Sequence, residues 1–163
     1  MFNNYPRRQF YRKPALTRRG AKPQWERHNK VDQTGNIAQG NQAAVTLFTA
    51  GKPIKISKMR LQAAIININS GGAGTQGVMF AIVVVPNGYT ANALTVSAAA
   101  ELYEPTENVM CTGTISGLAF TDVWVPISKR LKQGDTLVAV FANTSTAATN
   151  VNIQYMWSYT QIE

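Results

Sequence analysis

The sequence predicts an all-β sandwich or barrel behind a basic arm, and three observations carry that prediction. Short runs of β-branched and aromatic residues recur from residue 45 onward, separated by turns rich in Gly, Asn and Ser. Scarcely any stretch has helical periodicity. Charge is also divided unevenly. The first thirty residues hold nine basic side chains against one acid, Glu26, a net of +8, whereas residues 31–163 hold seven of each sign and are neutral. At 163 residues one domain is expected, and the part beyond the arm is long enough to bury a core. No repeat of propeller or solenoid period is present.

Residues 1–30 contain Pro6, Pro14 and Pro23, which forbid one continuous helix. They also lack apolar periodicity and repel one another, so the arm is expected to be disordered until an anion binds. Folding is expected not to depend on it. Residues 31–43 (VDQTGNIAQGNQA) read as a linker, and 44–163 as the folded domain.

The segment 45–49 (VTLFT) opens the strands. The run 53–69 changes parity twice: Ile54 and Ile56 share a face, Met59, Leu61, Ala63 and Ile65 take the other, and Ile66 and Ile68 switch again. Strand side chains alternate with period two, so each slip predicts a bulge, bend or break. Residues 70–77 (SGGAGTQG) form a loop, and 78–85 a fully apolar strand closed by Pro86-Asn87-Gly88. Residues 89–106 read either as a short helix on the alanines of VSAAAELYE or as an irregular connection with one short strand. A strand over 108–116 places Val109, Cys111 and Ile115 on one face and breaks at Gly117. Another over 120–127 alternates Val123, Val125 and Ile127 against Asp122 and Trp124. Residues 128–135 (SKRLKQGD) read as a polar turn solvated by Lys129, Arg130 and Lys132. A buried strand over 136–142, a loop over 143–149 and a final alternating strand follow, with Val151, Ile153, Tyr155, Trp157 and Tyr159 inward. That makes seven strands with room for an eighth.

Several function classes are excluded by what the chain lacks. It has one cysteine, Cys111, and one histidine, His28. A single Cys allows no internal disulfide, suits a reducing compartment, and reads as a small buried hydrophobe. Paired carboxylates, a His/Cys ligand cluster and a dense acidic calcium group are all missing. The loop SGGAGTQG lacks the Lys-Ser/Thr of a phosphate loop. No enzyme, metal or cofactor is expected. There is no apolar signal-peptide segment at the start. The longest apolar run, 78–86, is far short of the ~20 residues of a membrane helix, so no membrane insertion is expected.

The partner implied by the arm is a polyanion, bound by phosphate neutralisation and counterion release. The candidate contacts are Arg7, Arg8, Arg12, Lys13, Arg18, Arg19, Lys22, Arg27 and Lys30. Tyr5, Phe10, Tyr11 and Trp25 are interleaved with them as candidates for base stacking, which favours single strands because only unpaired bases expose their faces. A second basic group, Lys52, Lys55, Lys58 and Arg60, lines the same inner surface if the chain enters the sheet from that side. Alternatively it is a solvated face, or meets Glu101, Glu104 and Glu107 across an interface. Charged residues make up 15% of the chain, fewer than a soluble monomer normally wears. A surface this poor in charge fits one covered by neighbouring copies.

This layout resembles the coat proteins of small icosahedral viruses, built on a single eight-stranded jelly roll. It is most similar to the capsid proteins of circular single-stranded DNA viruses, the circovirus- and nanovirus-like group. The resemblance rests on the arm PRRQFYRKPALTRRG and on the closing pattern SKRLKQGDTLVAVFANTSTAATNVNIQYMWSYTQIE: charged stretch, Gly-Asp turn, apolar strand, polar loop, alternating strand. It implies self-assembly into a T=1 shell of about 60 copies. It further implies packaging of single-stranded DNA and residence in the virion. Nuclear import through a host receptor is implied too, signalled by Arg7-Arg8 and Arg18-Arg19. Three alternatives stand: a coat protein of an RNA virus or satellite, a cellular barrel module binding single-stranded nucleic acid, and a lectin-like jelly roll. The module needs cations and aromatics on its sheet, and the lectin needs no arm.

Overall fold

The computed structural model describes residues 25–70, 77–89, 95–96, 102–103, 108–116, 120–126, 128–146 and 149–162, and all regular structure among them is β. The strands are β1 (Trp25–Gln33), β2 (Gln42–Thr49), β3 (Ile54–Ser70), β4 (Val78–Val85), β5 (Thr95–Val96), β6 (Leu102–Tyr103), β7 (Val109–Ile115), β8 (Thr121–Val125), β9 (Lys129–Leu131), β10 (Thr136–Asn143) and β11 (Thr149–Ile162). One sheet runs β1-β11-β3-β8, with β9 also on β3; the other runs β2-β10-β4-β7; β5 and β6 pair with each other. Every pairing is antiparallel. Taking β8 and β9 as one edge strand interrupted around Pro126, the two sheets hold eight strands interleaved as in a jelly roll, with the last strand between the first and the third.

Alternation decides which residues meet between the sheets. On β11 the inward set Val151, Ile153, Tyr155, Trp157 and Tyr159 is buried, while Asn150 and Met156 are exposed. The same core takes Ile56, Met59 and Leu61 from β3, Phe80 and Ile82 from β4, and Leu137 and Phe141 from β10. A second apolar cluster lies on the opposite face of β4 and β10, where Ala81, Val83, Val85, Val138, Val140 and Ala142 are also buried. Burial on both faces is why these two strands read as unbroken apolar runs.

The two parity slips of β3 are bulges. Ser158 pairs with Arg60 but Thr160 with Ser57, so β3 carries one residue more than β11 there, and Lys58 adopts a left-handed φ of 50°. Asn152 pairs with Asn67 but Ile153 with Ile65, which leaves Ile66 as the extra residue, turned out to solvent.

Polar side chains lock the turns at the two ends of the sandwich. The buried Asp135 carboxylate accepts the N–H of Asn87 (3.1 Å) and of Lys132 (2.8 Å). Gly134 beside it has φ 87°, and a Cβ there would lie 2.5 Å from the Asn87 side chain, so the turn requires glycine. At the other end Asn143 Nδ2 donates to the carbonyls of Ile37 (2.9 Å) and Thr149 (2.7 Å), and its Oδ1 accepts the Ser145 N–H.

The chain departs from the sequence expectation in three places. Residues 25–33 form β1, where the end of a disordered arm and the start of a linker were expected. The remaining linker is docked: Thr34 N donates to Ile153 O, and Ile37 exchanges hydrogen bonds with Val151. The expected polar turn over 128–135 contains β9. The physical reason is shared. β1 and β9 are edge strands held by backbone pairing to a buried neighbour, so they need little apolar alternation of their own. Over 89–106 the described residues form the short strands β5 and β6, and the rest of that ambiguous stretch lies outside the described residues.

Because β1 covers one side of β11, folding is expected to depend on residues 25–33. Deleting residues 1–24 is expected to leave the denaturation midpoint unchanged. Deleting 1–33 strips a strand from Trp157 and Tyr159 and should cost roughly 3 kcal/mol or more. Chemical denaturation of the two truncations checks this, and equal stabilities would contradict the role given to β1.

Candidate nucleic-acid interface

The register of the first sheet fixes where the arm joins the body. Trp25 stands opposite Ile162, Ile162 opposite Lys55, and Lys55 opposite Arg130, one row across β1, β11, β3 and β9. Two rows further in, Arg27 stands opposite Thr160, which pairs with Ser57. Ile54 and Ile56 are buried, so Lys55 between them points to the outer face; Arg130, exposed beside buried Leu131, does the same. Lys58 is exposed on the adjacent bulge.

The turns at this end add more positive charge. Lys52 lies between β2 and β3, Lys129 on β9, and Lys132 in the turn fastened by Asp135. Gly134 N donates to Ala50 O, which holds the two turns together. Six of the seven basic residues beyond residue 30 therefore gather at the end of the sandwich where the arm joins.

The seventh is Arg60, and here the geometry differs from the expected basic group. Its Nε donates to Asp122 Oδ1 (2.7 Å), a second N–H bonds the other carboxylate oxygen, and the guanidinium lies 5.3 Å from the Trp124 ring centre. Asp122 holds the Arg60 pKa above its usual value, and Arg60 holds Asp122 below the usual carboxylate range. Arg60 is thus committed to a fork on a carboxylate and is not available for phosphate.

Lys30 is similarly engaged. Its Nζ donates to Thr46 O (3.2 Å) and lies 3.4 Å from Asp32. It shares the inner row of β1 with His28, which stacks on Tyr159 with ring centres 5.0 Å apart, and with Asp32, opposite Tyr155. This row closes the open edge between β1 and β2. The N–H of Gln33 on its carboxylate holds Asp32 below the usual carboxylate range. Burial, with the Asp32 charge nearby, pushes the Tyr155 hydroxyl up to about 12.

Of the nine expected arm contacts, Arg27 and Lys30 lie on β1, and Trp25 of the stacking candidates begins that strand. Arg7, Arg8, Arg12, Lys13, Arg18, Arg19 and Lys22, with Tyr5, Phe10 and Tyr11, lie outside the described residues. Arg130 is the residue sequence reasoning passed over: in KRL the buried Leu131 is the sole sign that the segment is a strand and that Arg130 points away from the core.

Other chemistry is thinly represented. Burial pushes the Cys111 thiol up to about 11, so it is not a thiolate nucleophile at neutral pH. Among the described residues no group of His, Cys, Asp and Glu is placed to hold a metal ion.

No known protein family matches the chain, and no curated protein does. Among solved structures, a chain from the structure of infectious bursal disease virus Gx strain is similar over 87% of this chain and 32% of its own length, with 12% identity and a TM-score of 0.42. This chain thus spans about a third of that neighbour.

The raised thiol and phenol pKa values have a measurable consequence. Folded Cys111 holds its proton to about 11 and folded Tyr155 to about 12, against ordinary values of 9.0 and 10.0. The unfolded chain releases these protons first, so stability falls as pH rises from about 9 towards 12. Cys111→Ala should flatten this decline between about pH 9 and 11 in denaturation midpoints. An identical slope in both proteins would contradict the assignment.

Proposed function

We propose that this chain is the coat protein of a small icosahedral virus, with a jelly-roll body that builds the shell and an arm that gathers single-stranded DNA. The observation that carries this reading is the group of cations on the body beside the entry of the arm. Lys55, Lys58 and Arg130 share one end with the entry of the arm, so a shell with that end inward turns them towards the genome. The remaining surface is poor in charge, which lets copies pack without long-range repulsion. The outer face of the first sheet also exposes Val31 (62%), Trp124 (61%) and Met156 (37%), apolar side chains suited to cover by a neighbouring copy.

The mechanism is neutralisation coupled to assembly. One arm binds weakly, and many arms displayed on one shell gain from effective concentration. A body of this size suits the smallest closed shell, about 60 copies. Tyr5, Phe10, Tyr11 and Trp25 favour unpaired bases, and the circovirus-like pattern of the arm favours DNA. Arg7-Arg8 and Arg18-Arg19 serve nuclear import before assembly. No catalytic step is assigned to the chain.

Light scattering and electron microscopy of the purified full chain at near-physiological salt test the reading. Uniform spherical particles are expected, binding single strands with a slope of roughly −4 in log K against log salt for five or six phosphate contacts. A clean 17.8 kDa monomer at high concentration would overturn it.

A further inference from the structure

Lys55 and Arg130 stand directly opposite each other on antiparallel strands and point to the same face. Directly opposed like charges destabilise a sheet. Among the described residues neither has an acidic partner: Asp122 is taken by Arg60, Asp135 by backbone N–H groups, Asp32 by Lys30 and Gln33, and Glu26 lies beside His28. The two cations border a surface pocket of about 290 Å³, whose other walls are Pro53, Ile54, Leu131 and Ile162. Two neighbouring cations beside an apolar wall match a nucleotide, which pairs a phosphate with a flat, weakly polar base and sugar. Trp25, where the arm joins the sheet, is in the same row.

We propose that the pocket between β3 and β9 is a phosphate site for one nucleotide of a bound nucleic-acid strand, with Lys55 and Arg130 on the phosphate and Pro53 and Ile162 against the sugar or base. This rests on the coat-protein reading and adds to it a fixed contact on the body. Arg130 supplies a planar fork and Lys55 a compact charge, so one phosphate satisfies both and removes their repulsion.

The test uses the full chain and its Lys55→Gln/Arg130→Gln variant, melted in sodium chloride, inorganic phosphate or thymidine monophosphate at matched ionic strength. The arm is the same in both proteins, so any difference belongs to the pocket. At ten times the dissociation constant, the wild type should melt roughly 3–6 °C higher in the monophosphate than in chloride, and the variant should not respond. In chloride alone Lys55→Gln should melt no lower than the wild type, because it removes repulsion. An equal response of both proteins, or none in the wild type, would overturn the site. Equal shifts from inorganic phosphate and thymidine monophosphate would overturn its nucleotide character. A response that appears only after Glu163→Gln would show that the carboxylate next to Ile162 is the natural occupant, and would also overturn it. A chain that forms particles without a phosphate response refutes the pocket and leaves the coat reading standing; a responsive chain that stays monomeric does the reverse.

Discussion

The double pairing of β11, with β1 on one side and β3 on the other, is the constraint from which the arrangement follows. This strand sends Val151, Ile153, Tyr155, Trp157 and Tyr159 into the core, and its backbone fixes the register of both neighbours. An alternating strand of this length specifies its register strongly, because a slip of one residue would turn three aromatic rings and two aliphatic side chains to water. Once β11 is placed, Trp25 must begin β1 opposite Ile162, and Lys55 must lie on the far side of the same residue. The entry point of the arm at Trp25 is therefore set at the basic end of the sandwich by core packing.

Charge follows the same geometry. A net charge of zero beyond residue 30 hides a local grouping, with Lys52, Lys55, Lys58, Lys129, Arg130 and Lys132 at one end. Charges on directly paired residues such as Lys55 and Arg130 are near enough to act together at physiological ionic strength, where screening sets in at about 8 Å. Arg60 shows the contrast: one strand position beyond the bulge, it meets Asp122 and Trp124 and its charge is spent on the sheet itself. Bulk composition distinguishes neither case; cross-strand register does.

Much of the fold was legible because burial writes itself into side-chain parity. The alternation of β11, the unbroken apolar runs of β4 and β10, and both slips of β3 were readable, and the slips turned out to be bulges at Lys58 and Ile66. What escaped notice was structure held by backbone alone. In WERHNKVDQ no described side chain from Glu26 to Gln33 is fully buried, so nothing in the pattern separates this edge strand from the arm before it. In KRL one buried leucine is too little signal. The candidate site suffered accordingly. Lys55 was noticed as part of a basic group, but its partner Arg130 comes from a segment read as a turn, and their opposition exists only once β9 is paired to β3. The arm itself was conspicuous by charge, and most of it lies outside the described residues.

The most direct test of the account is a residue-resolution reconstruction of the assembled particle by electron cryomicroscopy. The account predicts a closed shell in which the end of the sandwich bearing Trp25, Lys55 and Arg130 faces the interior, with nucleic-acid density against it. A shell with that end on its outer surface, or buried dry between subunits, would contradict the claim that core packing of β11 delivers the arm and the body's cations to the genome together.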